Sequence, residues 1–481
     1  MKEMKNYIGG RYIPSITGET FEVFNPANGK VVGTAQRNGR QDAHIALQAA
    51  KGAQKAWAAL PAQKRAEYLY AFANELENAS GELARLLSQE QGKPLAEAGG
   101  EMAGSVNFIR YAAESARRIE GDILSSENQN EQVWIQRVPY GVVVGLCAWN
   151  FPVALACRKI GGALVCGNTM VVKPPSETPL AAMMLGECAS RAGIPAGVLN
   201  LITGDGATVG DELVRNPVTS LVTLTGSTDA GRKLYEAAAE NIAVLRLELG
   251  GKAPFIVMDD ADVDYAVQEA IASRFGNCGQ ICTCNERMYV HENVYDAFLS
   301  RFMQRASQLV VGDPMDPATD IGPKVSLKEL EKLEVLLQRS VEQGGRVLLG
   351  GGRATVAGFE GGHWFEPTVV EIKDNSNILM QEEIFGPIAP IMKISSFDEA
   401  IQYANECRYG LSAYLFTNNV RYIMRMVQEL EFGEVYVNRR NGELVNAFHN
   451  GYKLSGVGGE DGRYGLEGYM QKKTVYMNYD K

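Results

Sequence analysis

Val142-Val143-Val144, Met170-Val171-Val172, Val198-Leu199-Asn200-Leu201-Ile202 and Leu221-Val222-Thr223-Leu224 are four short apolar runs, rich in β-branched residues. Stretches of helical composition separate them. Runs of this kind read as strands buried on both faces. Alternating with helices they make a βαβ rhythm, which implies an α/β fold with a doubly wound parallel sheet. A second series begins at Pro254-Phe255-Ile256-Val257-Met258, and Gly250-Gly251 is a natural joint between the two.

Working outward, residues 42–118 are rich in Ala, Glu and Leu and poor in β-branched residues, a helical composition. Residues 131–138 alternate polar and apolar, as a half-buried strand does. Lys473-Thr474-Val475-Tyr476-Met477 reads as a last strand. No internal repeat or low-complexity linker interrupts the chain.

The chain has 481 residues, enough for two or three domains, and a formal net charge of −10. That sign argues against nucleic acid and anionic membrane as partners. The N-terminal residues carry no apolar run, so no secretory signal is expected. Gly141 to Cys157 is apolar, but Asn150, Pro152 and the closing Arg158-Lys159 make it too short for a membrane span. The eight cysteines form no CxxC pair, so no metal is expected, and reduced thiols in a cytoplasm are.

Three segments carry chemistry: Asn277-Cys278-Gly279-Gln280-Ile281-Cys282-Thr283-Cys284, Glu248-Leu249-Gly250-Gly251-Lys252 and Trp149-Asn150-Phe151-Pro152. They supply a thiol, a carboxylate and an amide donor, the minimum for covalent chemistry on an aldehyde carbonyl. Were residues 282–284 extended, the thiols of Cys282 and Cys284 would point to opposite faces, and Cys284 would be packing. A Cys282–Cys284 redox switch is the sharper alternative.

In that order and at those separations, the segments resemble the aldehyde dehydrogenase superfamily, from Phe24-Asn25-Pro26 to Ser455-Gly456. The resemblance implies a nucleotide-binding domain (1–121 and 141–250), a catalytic domain (251–467) and a small β oligomerisation element (122–140 and 468–481). It further implies a homotetramer or homodimer. By the same resemblance Cys282 is the nucleophile, Asn150 an oxyanion donor, Glu248 the base that activates water, and Lys159 a residue positioning the site.

The cofactor implied is NAD, with NADP open. Gly226 and Ser227 would hold the pyrophosphate at a helix N-terminus, and Gly206 lies in a second glycine-bearing turn. Lys173 resembles the lysine at the adenosine ribose, and Glu383 and Phe385 the pair at the nicotinamide ribose. Trp149 and Leu249 fall on the cofactor side as well. NAD-preferring members usually carry Glu where this chain has Ser176, which could donate to a 2′-phosphate.

The nearest subfamily resemblance is to lactaldehyde/glycolaldehyde dehydrogenases, through Cys282-Thr283-Cys284-Asn285-Glu286-Arg287 and Phe448-His449-Asn450-Gly451. It implies a short hydroxyaldehyde substrate, with Arg158, Glu443 and His449 at its hydroxyl. Arg440 stands where the subfamily pattern has Glu. Facing the pocket, it would favour an anionic aldehyde such as succinate semialdehyde or sulfolactaldehyde. Gly276 and the Ala447–Gly451 run depart from the succinate-semialdehyde pattern.

Overall fold

The computed structural model describes residues 2–480. Three helices, Arg40–Ala59, Ala62–Gln91 and Leu95–Glu114, account for the helical composition near the N-terminus. The second is closed by Gly92 at φ 93°, whose N–H donates to the Ser88 carbonyl at 3.0 Å. Pro94 bars that helix from continuing, and the third starts directly after it. Leu69, Phe72, Leu76, Leu83 and Leu87 repeat at helical spacing and are fully buried.

The first large sheet holds five parallel strands in the order Val244–Glu248, Thr219–Thr225, Val142–Leu146, Thr169–Lys173 and Leu199–Leu201. Each of the four runs lies on one of these strands. Chain order reverses between Val142–Leu146 and Thr219–Thr225. Crevices form at such a switch point, beyond the carboxyl ends of the strands. The helix Pro152–Val165 leaves that crevice with proline in its first turn, and only Arg158 along it is not buried.

A second sheet runs Arg346–Leu349, Thr368–Ile372, Ile388–Ile394, Asn285–His291, Ala253–Val257, Ser412–Phe416 and Glu434–Val437, parallel except at its first strand. The chain passes from one sheet to the other through Leu249–Lys252. Carboxyl ends of the first sheet therefore face amino ends of the second. Gly456–Val457 returns to pair antiparallel with Val244–Glu248.

Met470–Asn478 pairs antiparallel with Glu131–Pro139 over nine residues, and Asp122–Leu124 pairs on the other side. This three-stranded sheet exposes Ile123 and Tyr476. No helix among the described residues is long and apolar enough to cross a membrane.

Candidate active site

The Cys282 loop is a turn, not an extended segment. The Cys284 N–H donates to the Ile281 carbonyl at 3.3 Å. Upstream, Asn277 and Cys278 both lie in the left-handed region, at φ 46° and 56°, a conformation that must be held by its surroundings. Glu97 holds it, accepting from the Asn277 N–H with both oxygens at 2.9 and 3.1 Å. Gln91 donates to the Asn277 side chain at 3.0 Å. Cys284 is fully buried, its thiol donating to the Gly279 carbonyl at 3.8 Å, which fits a packing role.

Asn150 is brought to the same loop. Its Nδ2 donates to the Gln280 carbonyl at 3.0 Å. Its backbone carbonyl accepts from Lys93 Nζ at 2.7 Å and from Asn277 Nδ2 at 3.2 Å. Lys93 in turn pairs with Glu101 at 2.6 Å, both side chains fully buried. Glu101 also accepts from the N–H groups of Val153 and Ala154 at the start of the Pro152 helix. Gln91, Lys93, Glu97 and Glu101 thus fix the Asn150 and Cys282 loops to each other. Their sequence gives only helical composition, so nothing in it marks them.

Glu248 ends the Val244–Glu248 strand, 3 % exposed, and neither carboxylate oxygen has a hydrogen-bond partner. Burial pushes its carboxyl up to about 8, while the His449 charge works the other way. His449 is also buried, with Nε2 3.4 Å from Glu248 Oε2 and Nδ1 2.9 Å from Glu434 Oε1. Burial opposes the charged ring, yet Glu248 and Glu434 raise it well above the ordinary histidine range.

Lys159 is fully buried, donating to Glu460 at 2.6 Å and to Thr225 at 2.8 Å. Arg158 contacts Asp461 at 2.8 Å and lies over the Phe108 ring at 4.8 Å. Burial favours neutral carboxyls at both acids; Lys159 and Arg158 nonetheless hold Glu460 at about 2, whereas Asp461 rises to about 6. Arg158 is therefore committed to an ion pair. Glu443 and Asn441 both reach Thr283, next to the thiol, Asn441 at 3.4 Å. Arg440 is exposed, and its N–H donates to Glu269 at 2.9 Å.

The thiol of Cys282 is half-buried. Burial first, then the carboxylates of Glu443 and Glu383, push it well above the ordinary cysteine value, with Arg158 opposing. The environment of this nucleophile candidate is thus rich in acid.

On the other side of the crevice, Ser227 caps the helix Thr228–Ala238, accepting from the Ala230 N–H at 3.2 Å, directly after Gly226. Lys173 Nζ and Ser176 Oγ both donate to the Gly204 carbonyl, at 2.9 and 3.2 Å, beside the helical turn Gly206–Gly210. The space over Gly206 is open. Glu383 accepts from the Gly251 N–H at 2.8 Å, and Leu249 follows Glu248. Trp149 meets Phe385 edge to face at 5.3 Å, with Lys324 near both rings. Lys324 also donates to the Phe385 carbonyl, and Glu286 accepts from the Ile384 and Phe385 N–H groups. Helix N-terminus, lysine, hydroxyl and open glycine turn fit a dinucleotide lying across the carboxyl ends of the strands.

Residues 12–475 match the model of the aldehyde dehydrogenase family. The chain belongs to that family. It is 51 % identical, over the full length of both proteins, to a 3,6-anhydro-alpha-L-galactose dehydrogenase of Vibrio sp. (strain EJY3). It is 41 % identical to an NADP(+) succinate-semialdehyde dehydrogenase of Escherichia coli (strain K12), covering 97 % of this chain and 96 % of that one. The crystal structure of lactaldehyde dehydrogenase from Escherichia coli superposes with a TM-score of 0.96 at 38 % identity, covering 99 % of each chain. The enzyme is an NAD(P)-dependent oxidoreductase acting on aldehydes.

Proposed function

We propose that this aldehyde dehydrogenase oxidises an uncharged α-hydroxyaldehyde to its acid. Lactaldehyde and glycolaldehyde are the small members of that class, and 3,6-anhydrogalactose is a larger one sharing the hydroxyl beside the carbonyl. The acid-rich surroundings of Cys282 carry the reading: Glu443, Glu383 and Glu248 bear on the thiol, and the arginine opposing them, Arg158, is already held by Asp461. An anionic aldehyde would meet repulsion there, whereas a hydroxyl finds a carboxylate acceptor at Glu443. The 51 % identical relative supports the same class.

In this reading Cys282 adds to the carbonyl, with Asn150 Nδ2 and the Cys282 N–H donating to the developing oxyanion. The nicotinamide accepts the hydride. Glu248 then takes a proton from the water that attacks the thioester, and Lys159 holds Glu460 behind the site. Trp149, Lys173, Ser176, Gly206, Gly226, Ser227, Leu249, Glu383 and Phe385 hold the dinucleotide. Ser176 in place of a carboxylate supports acceptance of NADP beside NAD. The unpaired outer edge of Met470–Asn478, with its exposed apolar residues, supports an oligomer built through that sheet. Eight free thiols support a reducing, cytoplasmic setting.

The test is kcat/KM for L-lactaldehyde, 3,6-anhydro-L-galactose, propanal and succinate semialdehyde, each with NAD and NADP. Preference for the two hydroxyaldehydes is expected. Preference for the semialdehyde would overturn the reading.

A further inference from the structure

His449 stands between two carboxylates contributed by distant parts of the chain. Glu434 begins the edge strand Glu434–Val437 and offers Oε1 to Nδ1 at 2.9 Å. Its other oxygen accepts from the Tyr436 hydroxyl at 2.9 Å, so the carboxylate cannot turn freely. The Tyr436 ring stacks on Tyr414 at 5.1 Å, and the Tyr414 hydroxyl donates to the carbonyl of Thr283 beside the nucleophile. The His449 backbone is fixed too, exchanging hydrogen bonds with Glu460 at 2.9 and 2.7 Å. An imidazole held in this way has one edge left, and that edge meets Glu248 at 3.4 Å.

We propose that Glu434 and His449 form a positioning pair for Glu248. Glu434 fixes the Nδ1 proton on its own side, and the Nε2 edge favours the ionised form of Glu248 and aligns it for thioester hydrolysis. The proposal rests on Glu248 being the base. Its chemistry follows from the two contacts. A carboxylate accepts and does not donate, so Nδ1 carries the proton whenever Glu434 is ionised. A proton on Nε2 as well makes an imidazolium facing the Glu248 oxygens, which have no other partner.

During hydrolysis the water oxygen bonds to the thioester carbon and one water proton passes to Glu248. The carbon–sulfur bond then breaks, its electron pair returning to the Cys282 sulfur. No oxidant is consumed in this step. Asp461, Glu443 and Arg158 also face His449, and Glu460, Arg158 and Lys159 face Glu248. These charges are common to every variant below, so differences among the variants report on the pair.

Pre-steady-state NAD(P)H bursts and pH profiles separate the steps, measured with propanal so that hydroxyl recognition does not enter. Glu434→Gln and His449→Gln keep size and remove charge. Both are expected to retain the burst. Steady-state turnover below pH 8 should slow about tenfold, the effect of moving the acid limb up by about one pH unit. The double variant should be no slower than His449→Gln alone, because Glu434 acts through the ring. An unmoved acid limb, equal slowing of burst and turnover, or multiplicative effects in the double variant would each overturn the pair. Glu248→Gln is the separate control. A burst followed by no turnover supports it as base, and continued turnover would remove that premise independently.

Discussion

Gly251 lies directly against the carbonyl oxygen of Cys282, closer than any Cβ could approach. The joint between the sheets and the nucleophile loop are therefore one packing unit. Gly251→Ala must push backbone against backbone, which costs about 1–3 kcal/mol in a packed interior. The expected outcome is a lower thermal midpoint and a loss of kcat well beyond the loss of nucleotide affinity. Circular dichroism melts and dinucleotide titration check both halves.

Cys282→Ala should abolish oxidation of every aldehyde while leaving dinucleotide binding intact. Rates and equilibrium binding measured on one preparation decide it. Residual turnover would move the nucleophile elsewhere.

Asn150→Ala removes the proposed oxyanion donor and should cut kcat by about 10²–10³. Part of that loss is structural, since Asn150 Nδ2 also bonds the Gln280 carbonyl. Lys93→Met, which leaves the Asn150 amide in place but removes the ammonium at its carbonyl, should give a smaller kcat loss. A loss equal to that of Asn150→Ala would show that the amide acts only by holding the loop.

Burial raises the Glu248 carboxyl to about 8, so its basic form grows as pH rises through that value. Below pH 8 each unit of acid reduces the ionised fraction about tenfold. Turnover should follow, with an acid limb near pH 8, and Glu248→Gln should lose steady-state turnover across the whole range. A flat profile from pH 6 to 9 in the unaltered enzyme would contradict the assignment.

Glu443→Ala should raise KM for L-lactaldehyde far more than for propanal, since only the former offers a hydroxyl to the carboxylate. Equal changes for both aldehydes would make Glu443 a support for Thr283 rather than a specificity residue.

Much of the enzyme is legible in its sequence. Val142–Val144 and its three companions fix parallel strands because β-branched apolar runs between helices have few other stable arrangements. Thr225-Gly226-Ser227 marks a strand end followed by a capped helix, a local pattern with a local cause. Cys282, Glu248 and Asn150 stand out because each sits in a short motif, and the fold brings Asn150 to the Cys282 loop. The turn at 282–284 escaped, since its geometry is imposed by Glu97 and Arg274 from outside; Arg274 donates to the Gly279 and Asn285 carbonyls. The exposure of Arg440 was likewise open in sequence, because a loop residue shows no periodicity to fix its face.

The sequence by itself determined the two-sheet α/β plan and the chemical kit. The tertiary structure alone decided who pairs with whom. The sequence shows Arg158 without its ion-pair partner Asp461, some three hundred positions later. The sequence likewise shows His449 without Glu434, which the second sheet brings to one nitrogen, and without Glu248, which the first brings to the other. The physical reason is common to both. Local motifs follow from backbone propensity and spacing along the chain. Buried charges are matched across elements whose proximity depends on how two separate sheets meet, and that meeting leaves no period in the sequence.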